Sequence, residues 1–168
     1  MFYSLKKKYD ILILNNKWRC SMEYSYDIID GREVPPLVVN EDTILNEHQG
    51  SVYVKHGTLT LKGTLQGSLS VIDGAKAIIN GEQQGSVSVC VNAIVVVNGV
   101  LSGSTHVSSG GTVIVEASGR LAGSLNNQGK VIIRGVFGGS HSGNDIILEG
   151  TGYIKQPIIK NGMNYYEW

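Results

Sequence analysis

The sequence has few charged residues and no excess of either sign. Only 17% of its 168 residues are charged, and 14 basic residues balance 14 acidic ones, giving a formal net charge of +0. No electrostatic attraction therefore draws the chain to nucleic acid or to an anionic membrane, and we expect neither partner. No apolar run approaches the roughly 18 residues of a membrane span, so we expect neither membrane insertion nor secretion.

Cysteine is also scarce. Cys20 and Cys90 are the only two, and they lie far apart in no redox or metal-binding spacing. This usage is typical of buried thiols in a reducing compartment, and we therefore predict a cytoplasmic protein in which neither cysteine is catalytic.

Glycine, in contrast, is abundant, with 22 residues against 3 prolines, and many of the glycines belong to a repeat. The pattern Gly-x-x-x-Gly-Ser occurs five times, at 63–68, 81–86, 99–104, 119–124 and 135–140. An earlier copy, at 46–51, has Asn46 in place of the first glycine. Because asparagine tolerates positive φ, this substitution predicts a positive φ at that position.

Pairs of apolar residues at alternate positions flank each copy of the motif. The pairs that precede it step by 18 residues each time: Leu59 and Leu61, Ala77 and Ile79, Val95 and Val97, Val113 and Val115, Val131 and Ile133. A similar pair follows most copies, and a further apolar residue lies inside the motif at Leu65, Leu101, Leu121 and Phe137, with Gln83 as the exception. Such short segments of period 2 predict an all-β, three-sided parallel β-helix of about six 18-residue rungs. An insertion at residues 116–118 is expected to leave the strand register unchanged.

The aromatic residues concentrate at the two ends of the chain. Of the twelve, six precede residue 30 and four follow residue 150. Alternation over residues 17–28 predicts an amphipathic strand. Ile11 to Leu14, followed by Asn15-Asn16, is predicted to be the first arm of an N-terminal β-hairpin, and Asp30-Gly31 is predicted to be a turn after the long strand. We therefore divide the chain into an N-terminal hairpin or cap (1–36), a parallel β-helix (37–156) and an aromatic C-terminal tail or cap (157–168).

The segment VLSGSTHVSSGGTVIVEASGRLAGSLNNQGKVIIRGVFGG, at residues 100–139, resembles the core of bactofilins, which are polymer-forming bacterial cytoskeletal proteins. The resemblance extends over roughly residues 37–159. It implies a right-handed three-sided β-helix with an aliphatic core, a cytoplasmic location, no cofactor and no catalytic site. It also implies rods whose uncovered ends stack into filaments, whereas this chain carries long aromatic segments at both ends.

The polar residues do not form a recognisable catalytic or metal-binding set. The four histidines (His48, His56, His106 and His141) and the solenoid acids lie at different offsets from the glycine motifs, so they are not expected to stack. We therefore expect no enzyme activity, no metal and no cofactor. Left-handed hexapeptide-repeat acyltransferases share the 18-residue turn, but this chain lacks their aliphatic hexads. An acyltransferase of that type is therefore only a minor alternative.

Two hypotheses of function follow, both based on protein–protein interaction. In the first, the chain is a bactofilin-like scaffold that self-associates through its ends and recruits client proteins. In the second, its ends are capped and it is a soluble binder, for example an immunity protein that neutralises a cognate toxin. Tyrosine and tryptophan dominate binding hot spots, so the candidate partner-binding residues under either hypothesis are Trp18, Tyr24, Tyr26, Tyr165, Tyr166 and Trp168.

Overall fold

The computed structural model describes residues 26–168, and within this range the chain forms β-strands and no α-helix. The strands are β1 (Asp27–Ile29), β2 (Arg32–Val34), β3 (Leu37–Val39), β4 (Thr43–Gln49), β5 (Val52–Val54), β6 (Thr58–Gln66), β7 (Leu69–Val71), β8 (Lys76–Ile79), β9 (Glu82–Gln83), β10 (Val87–Val89), β11 (Ile94–Val97), β12 (Val100–Leu101), β13 (Ser104–Val107), β14 (Thr112–Val115), β15 (Arg120–Asn127), β16 (Lys130–Ile133), β17 (Val136–Gly143), β18 (Ile147–Leu148), β19 (Tyr153–Ile154), β20 (Ile158–Lys160) and β21 (Met163–Tyr165).

Seventeen of these strands, β3 to β19, form one continuous sheet that coils into a β-solenoid of about seven turns. Every strand in it pairs in parallel with a strand of a neighbouring turn, and the strands stack on three faces. The first face contains β3, β5, β7, β10, β13 and the C-terminal halves of β15 and β17. The second contains the starts of β4 and β6, then β8, β11, β14, β16 and β18. The third contains the ends of β4 and β6, then β9, β12, the starts of β15 and β17, and β19. The predicted β-solenoid is confirmed.

The 18-residue register predicted for the second face is also confirmed. Ala77 pairs with Val95, Val95 with Val113, and Val113 with Val131. The two-residue insertion lies between the end of β14 and the start of β15, where it lengthens a corner without displacing a strand. A slip of one residue would turn the whole apolar set of a strand towards solvent, so burial of that set fixes the register.

The interior is formed by the inward residues of the three faces, stacked in columns. The column on the third face consists of Leu65, Gln83, Leu101, Leu121 and Phe137, all at most 1% exposed. Gln83 is the polar exception that the sequence indicated, and its Nε2 donates a hydrogen bond of 2.7 Å to the carbonyl oxygen of Gly67. This bond pairs one end of the buried amide, whereas its Oε1 has no hydrogen-bond partner among the described residues.

The first glycines of the repeat motif are required for a reason other than the one predicted. None of these five glycines has a φ in the left-handed range, so the expectation of positive φ at this position is wrong. Instead, a Cβ at Gly81 or Gly99 would overlap a backbone carbonyl oxygen of the preceding turn. Asn46 belongs to the first turn of the solenoid, where no described strand lies beneath it, and this explains why a side chain fits there.

An N-terminal antiparallel hairpin is present, and the predicted turn at Asp30-Gly31 joins its two strands, β1 and β2. Strands β1 and β2 pair in antiparallel fashion across these two residues, whose positive φ values of 51° and 74° suit a tight hairpin turn. The hairpin is joined to the solenoid by Asp27, whose carboxylate accepts hydrogen bonds from the backbone N–H (2.6 Å) and Oγ (3.0 Å) of Ser51. The arm predicted at residues 11–14 lies outside the described residues.

Two further expectations from composition can be compared with the structure. Cys90 is buried, and its sulfur is disulfide-bonded, so the prediction of a free thiol at this position is wrong. The cysteines therefore no longer support a reducing compartment. Over residues 26–168 the structure contains no helix with the length and hydropathy needed to cross a bilayer.

Candidate interaction surface

The predicted partner-binding residues are divided between the two ends of the chain. Trp18 and Tyr24 lie outside the described residues, and Tyr26 is exposed immediately before β1. Tyr165 is an exposed residue of β21, which pairs with β20 to form a C-terminal hairpin. Within the described range, most of the candidate residues therefore lie in the last four residues of the chain.

Trp168 packs against the side of the solenoid, on the third face. Its indole lies over Gly138 of β17, where a Cβ would come within 2.7 Å of the ring atom Cη2. The guanidinium carbon of Arg120 lies 5.0 Å from the ring centroid and the Nζ of Lys155 lies 5.2 Å from it, so both cations face the indole. We call this arrangement of Gly138, Arg120 and Lys155 the Trp168 seat.

Tyr166 is bound beside the Trp168 seat. Its hydroxyl donates a hydrogen bond of 3.0 Å to the carbonyl oxygen of Gly139, and its ring edge also approaches Gly138. Two of the three C-terminal aromatic residues are therefore held against the body of the protein. Tyr165 belongs instead to the projecting hairpin.

The axial end of the solenoid beyond β17 exposes residues that belong to the inward columns. Leu148 of β18 is in register with buried Ile133, yet it is 48% exposed. Ile154 of β19 is in register with buried Phe137, yet it is 38% exposed. Among the described strands, β18 pairs only with β16 and β19 only with β17, so each has one unpaired edge. We call this surface the C-terminal end.

Exposed apolar side chains are strongly enriched in this part of the molecule. Nine of the 13 exposed large hydrophobic side chains among the described residues follow residue 146: Ile147, Leu148, Tyr153, Ile154, Ile158, Ile159, Met163, Tyr165 and Trp168. A concentration of this kind marks an interaction site more often than scattered surface hydrophobics do. Counting only aromatic residues in the sequence missed the aliphatic members of this group.

A second apolar surface, also missed from the sequence, runs along the outer side of the second face. Its members occupy one outward column through the turns: Ile44, Thr60, Ile78, Val96, Ile114, Ile132 and Ile147. The column is exposed at its ends, whereas Ile132 is only 7% exposed. The sequence contained the signal, because Ile78, Val96 and Ile114 each lie between two inward residues and are themselves apolar.

The polar features of the described surface are sparse. A shallow groove of 370 Å³ on the first face is lined by serines, by His106 and His141 and by Asn126, and its lining residues include no carboxylate. Residues 26–168 contain no cluster of three or more potential metal-ligating side chains.

Arg134 joins Glu116 and Glu149 of adjacent turns at 3.0 and 2.9 Å, and these hydrogen bonds raise the pKa of its guanidinium. These are exposed ion pairs between turns, and exposed ion pairs contribute little to stability.

His48 lies in the first turn, in the inward column of Leu65 on the third face. Its Nε2 is buried and has no hydrogen-bond partner among the described residues. Burial lowers the pKa of this imidazole below its ordinary value of 6.5, and the nearby carboxylate of Asp27 only partly opposes this effect. The folded protein therefore holds His48 neutral more strongly than the unfolded chain does.

Because the pKa of His48 is lowered by burial, we expect the protein to lose stability in mild acid. Below about pH 6.5 the unfolded chain takes up the proton first, so the free energy of unfolding should decrease as the pH falls from 6.5 towards the lowered pKa. The variant His48→Leu should lack this part of the pH dependence, because leucine does not titrate. Leucine also occupies the same inward column at Leu65, so the variant should fold. Urea unfolding at pH 8, 6 and 5 measures the difference, with exposed His56→Gln as the control. Equal pH dependence in wild type and His48→Leu would contradict the assignment.

The comparisons with known proteins identify no relative. No protein-family model, no curated protein and no solved structure matches this chain. The resemblance to bactofilins therefore stays a prediction.

Proposed function

We propose that the protein is a non-enzymatic β-solenoid that acts by protein–protein contact, and that its C-terminal end binds a second copy of the chain. The observation that carries this proposal is the exposure of Leu148 and Ile154 at inward positions of the last turn. Each earlier turn has these positions covered by the next turn. The C-terminal end presents the same apolar surface and the same strand edges without that cover.

A second copy is the partner that suits this surface best. Two C-terminal ends related by a two-fold axis would present the same apolar patch to each other, as symmetric dimers require. The unpaired edges of β18 and β19 could then form backbone hydrogen bonds across the contact, because exposed edges are templates for pairing. The resemblance to bactofilins also supports end-to-end association. A cytoplasmic scaffold role is supported by that resemblance alone.

Aspartate at the two end positions tests the proposal. The variant Leu148→Asp/Ile154→Asp places charges in the contact, so we expect self-association to weaken by at least about tenfold. Sedimentation velocity and light scattering over a concentration series measure this, with electron microscopy of the wild-type samples. The matched control is Ile28→Asp/Ile94→Asp, since both isoleucines are exposed and lie outside the last turn and outside the outward column of the second face. Unchanged association of the end variant, or a wild-type chain that stays monomeric at all concentrations, would overturn the proposal.

Binding of a different protein is the second candidate function. It is favoured by the outward, largely aliphatic column on the second face, which runs through all the turns and at Ile78, Val96 and Ile114 lies away from the C-terminal end. A soluble binder, such as an immunity protein that covers a cognate toxin, would use such a face. Under this alternative, Val96→Lys would abolish partner binding, whereas the end variant would retain it.

A further inference from the structure

The last twelve residues, 157–168, form a segment that we call the C-terminal strap. It leaves the solenoid after β19, forms the hairpin of β20 and β21 with a turn at Asn161-Gly162, and returns to the Trp168 seat on β17. The strap is therefore attached twice, by its covalent link at residue 156 and by the contacts of Tyr166 and Trp168. Between these points its hairpin projects from the body of the protein.

The hairpin is apolar and cannot bury its own side chains. Ile158, Ile159, Met163 and Tyr165 are all exposed, and Ile159 is 72% exposed. Two strands of three residues have no core of their own, and an isolated hairpin of this kind is marginally stable in water. The hairpin thus has apolar surface to bury, and the nearest large apolar surface along the chain is the C-terminal end.

The chain is long enough to bring these two surfaces together. Three residues lie between Ile154 and Ile158, and the four steps that join these two isoleucines span at most about 14 Å in extended conformation. Successive turns of the coiled sheet lie about 4.8 Å apart along the axis, so this length lets the hairpin reach the layer next to the last turn. What prevents this is the attachment of the strap to the side of β17, where the indole of Trp168 contacts both Arg120 and Lys155.

We propose that the strap is a reversible cap for the C-terminal end. When Trp168 occupies its seat, the hairpin is held beside the third face and Leu148 and Ile154 are open to a second copy. When Trp168 leaves the seat, the hairpin folds over the end, buries these two residues and blocks association. This inference rests on the proposed self-association, and it makes the open and the capped forms two states of one chain.

The seat itself offers two independent ways to release the strap in the full-length protein. Trp168→Ala removes the indole, and Gly138→Ala places a methyl group where the ring lies. Both variants should weaken self-association by at least about tenfold, although neither residue lies in the contact. Gly74→Ala is the matched control for the glycine change, because a Cβ there meets no atom within 4 Å. It should associate like the wild type.

A rescue variant separates capping from general damage. Adding Ile159→Asp and Met163→Asp to Trp168→Ala makes the hairpin too polar to cover the end, so association should return to near the wild-type level. Hydrogen exchange of the backbone amides of residues 147–154 supplies a second measurement. In a dilute, monomeric sample these amides should exchange more slowly in Trp168→Ala than in the wild type, because the cap covers them.

These outcomes distinguish the two proposals. If Trp168→Ala associates as strongly as the wild type and its amides exchange no more slowly, the strap is not a cap, while the test with Leu148→Asp/Ile154→Asp still decides self-association. If the wild type does not associate at all, the proposed function fails. The exchange measurement then decides the capping inference alone, with slower exchange in Trp168→Ala supporting it and equal exchange overturning it.

Discussion

Gly99→Ala should lower the free energy of unfolding by about 3 kcal/mol or more, a large fraction of the stability of an ordinary domain. The new Cβ would overlap the carbonyl oxygen of Gly81 and would also press on the backbone of Asn80 in the preceding turn. Neither obstacle is a flexible side chain, so relief requires the two turns to separate. Separation would break the parallel ladder that joins β12 to β9. Urea or thermal unfolding followed by circular dichroism measures the change.

The same substitution at Gly74 isolates the steric effect from the loss of glycine. Gly74 has open space around its Cβ position but a φ of +80°, so alanine there should cost only about 1 kcal/mol of backbone strain. If Gly99→Ala destabilises the protein no more than Gly74→Ala does, close approach of the turns is not the reason for glycine in the repeat motif.

Phe137→Ala should be similarly severe, with a loss of about 3–5 kcal/mol. Phe137 is 1% exposed, stacks on Leu121 in the inward column of the third face, and makes an edge-to-face contact with His141 at 6.5 Å between ring centroids. Alanine would leave a cavity in the last fully covered turn. The denaturant midpoint and the slope of the transition report this loss.

Phe137→Leu is the control for that change. Leucine occupies the same column at Leu101 and Leu121, so this near volume-conserving replacement should cost less than about 1.5 kcal/mol. Equal destabilisation by leucine and by alanine would show that the aromatic contact, and not the filled volume, holds this turn.

The core of the solenoid could be predicted from the sequence because it depends on local alternation and on one repeat length. Each inward residue such as Val95 has its neighbours 18 residues away, and that spacing is visible without a structure. The motif glycines were located correctly for the same reason. The reason why these positions need glycine could not be predicted, because the carbonyl that excludes a side chain at Gly81 lies in another turn.

The candidate interaction surface could not be predicted as well, because it depends on where the repeat stops. From the sequence, the aromatic residues of the C-terminal tail are predicted to cap the solenoid. Only the structure shows Trp168 bound at the side, over Gly138. That glycine gains its role from a residue 30 positions later, and no periodicity contains such a relation.

The ladder of the solenoid also determines how the molecule responds to force. Each described strand of the coiled sheet pairs only with strands of adjacent turns, so tension applied between residue 90 and the C-terminus would peel turns away one after another, starting with the last. Every detached turn of 18 residues would add about 60 Å of extended chain. Such a rod lengthens in steps from an end while the remaining turns keep their shape, and its resistance to pulling is that of a single turn rather than of the whole protein.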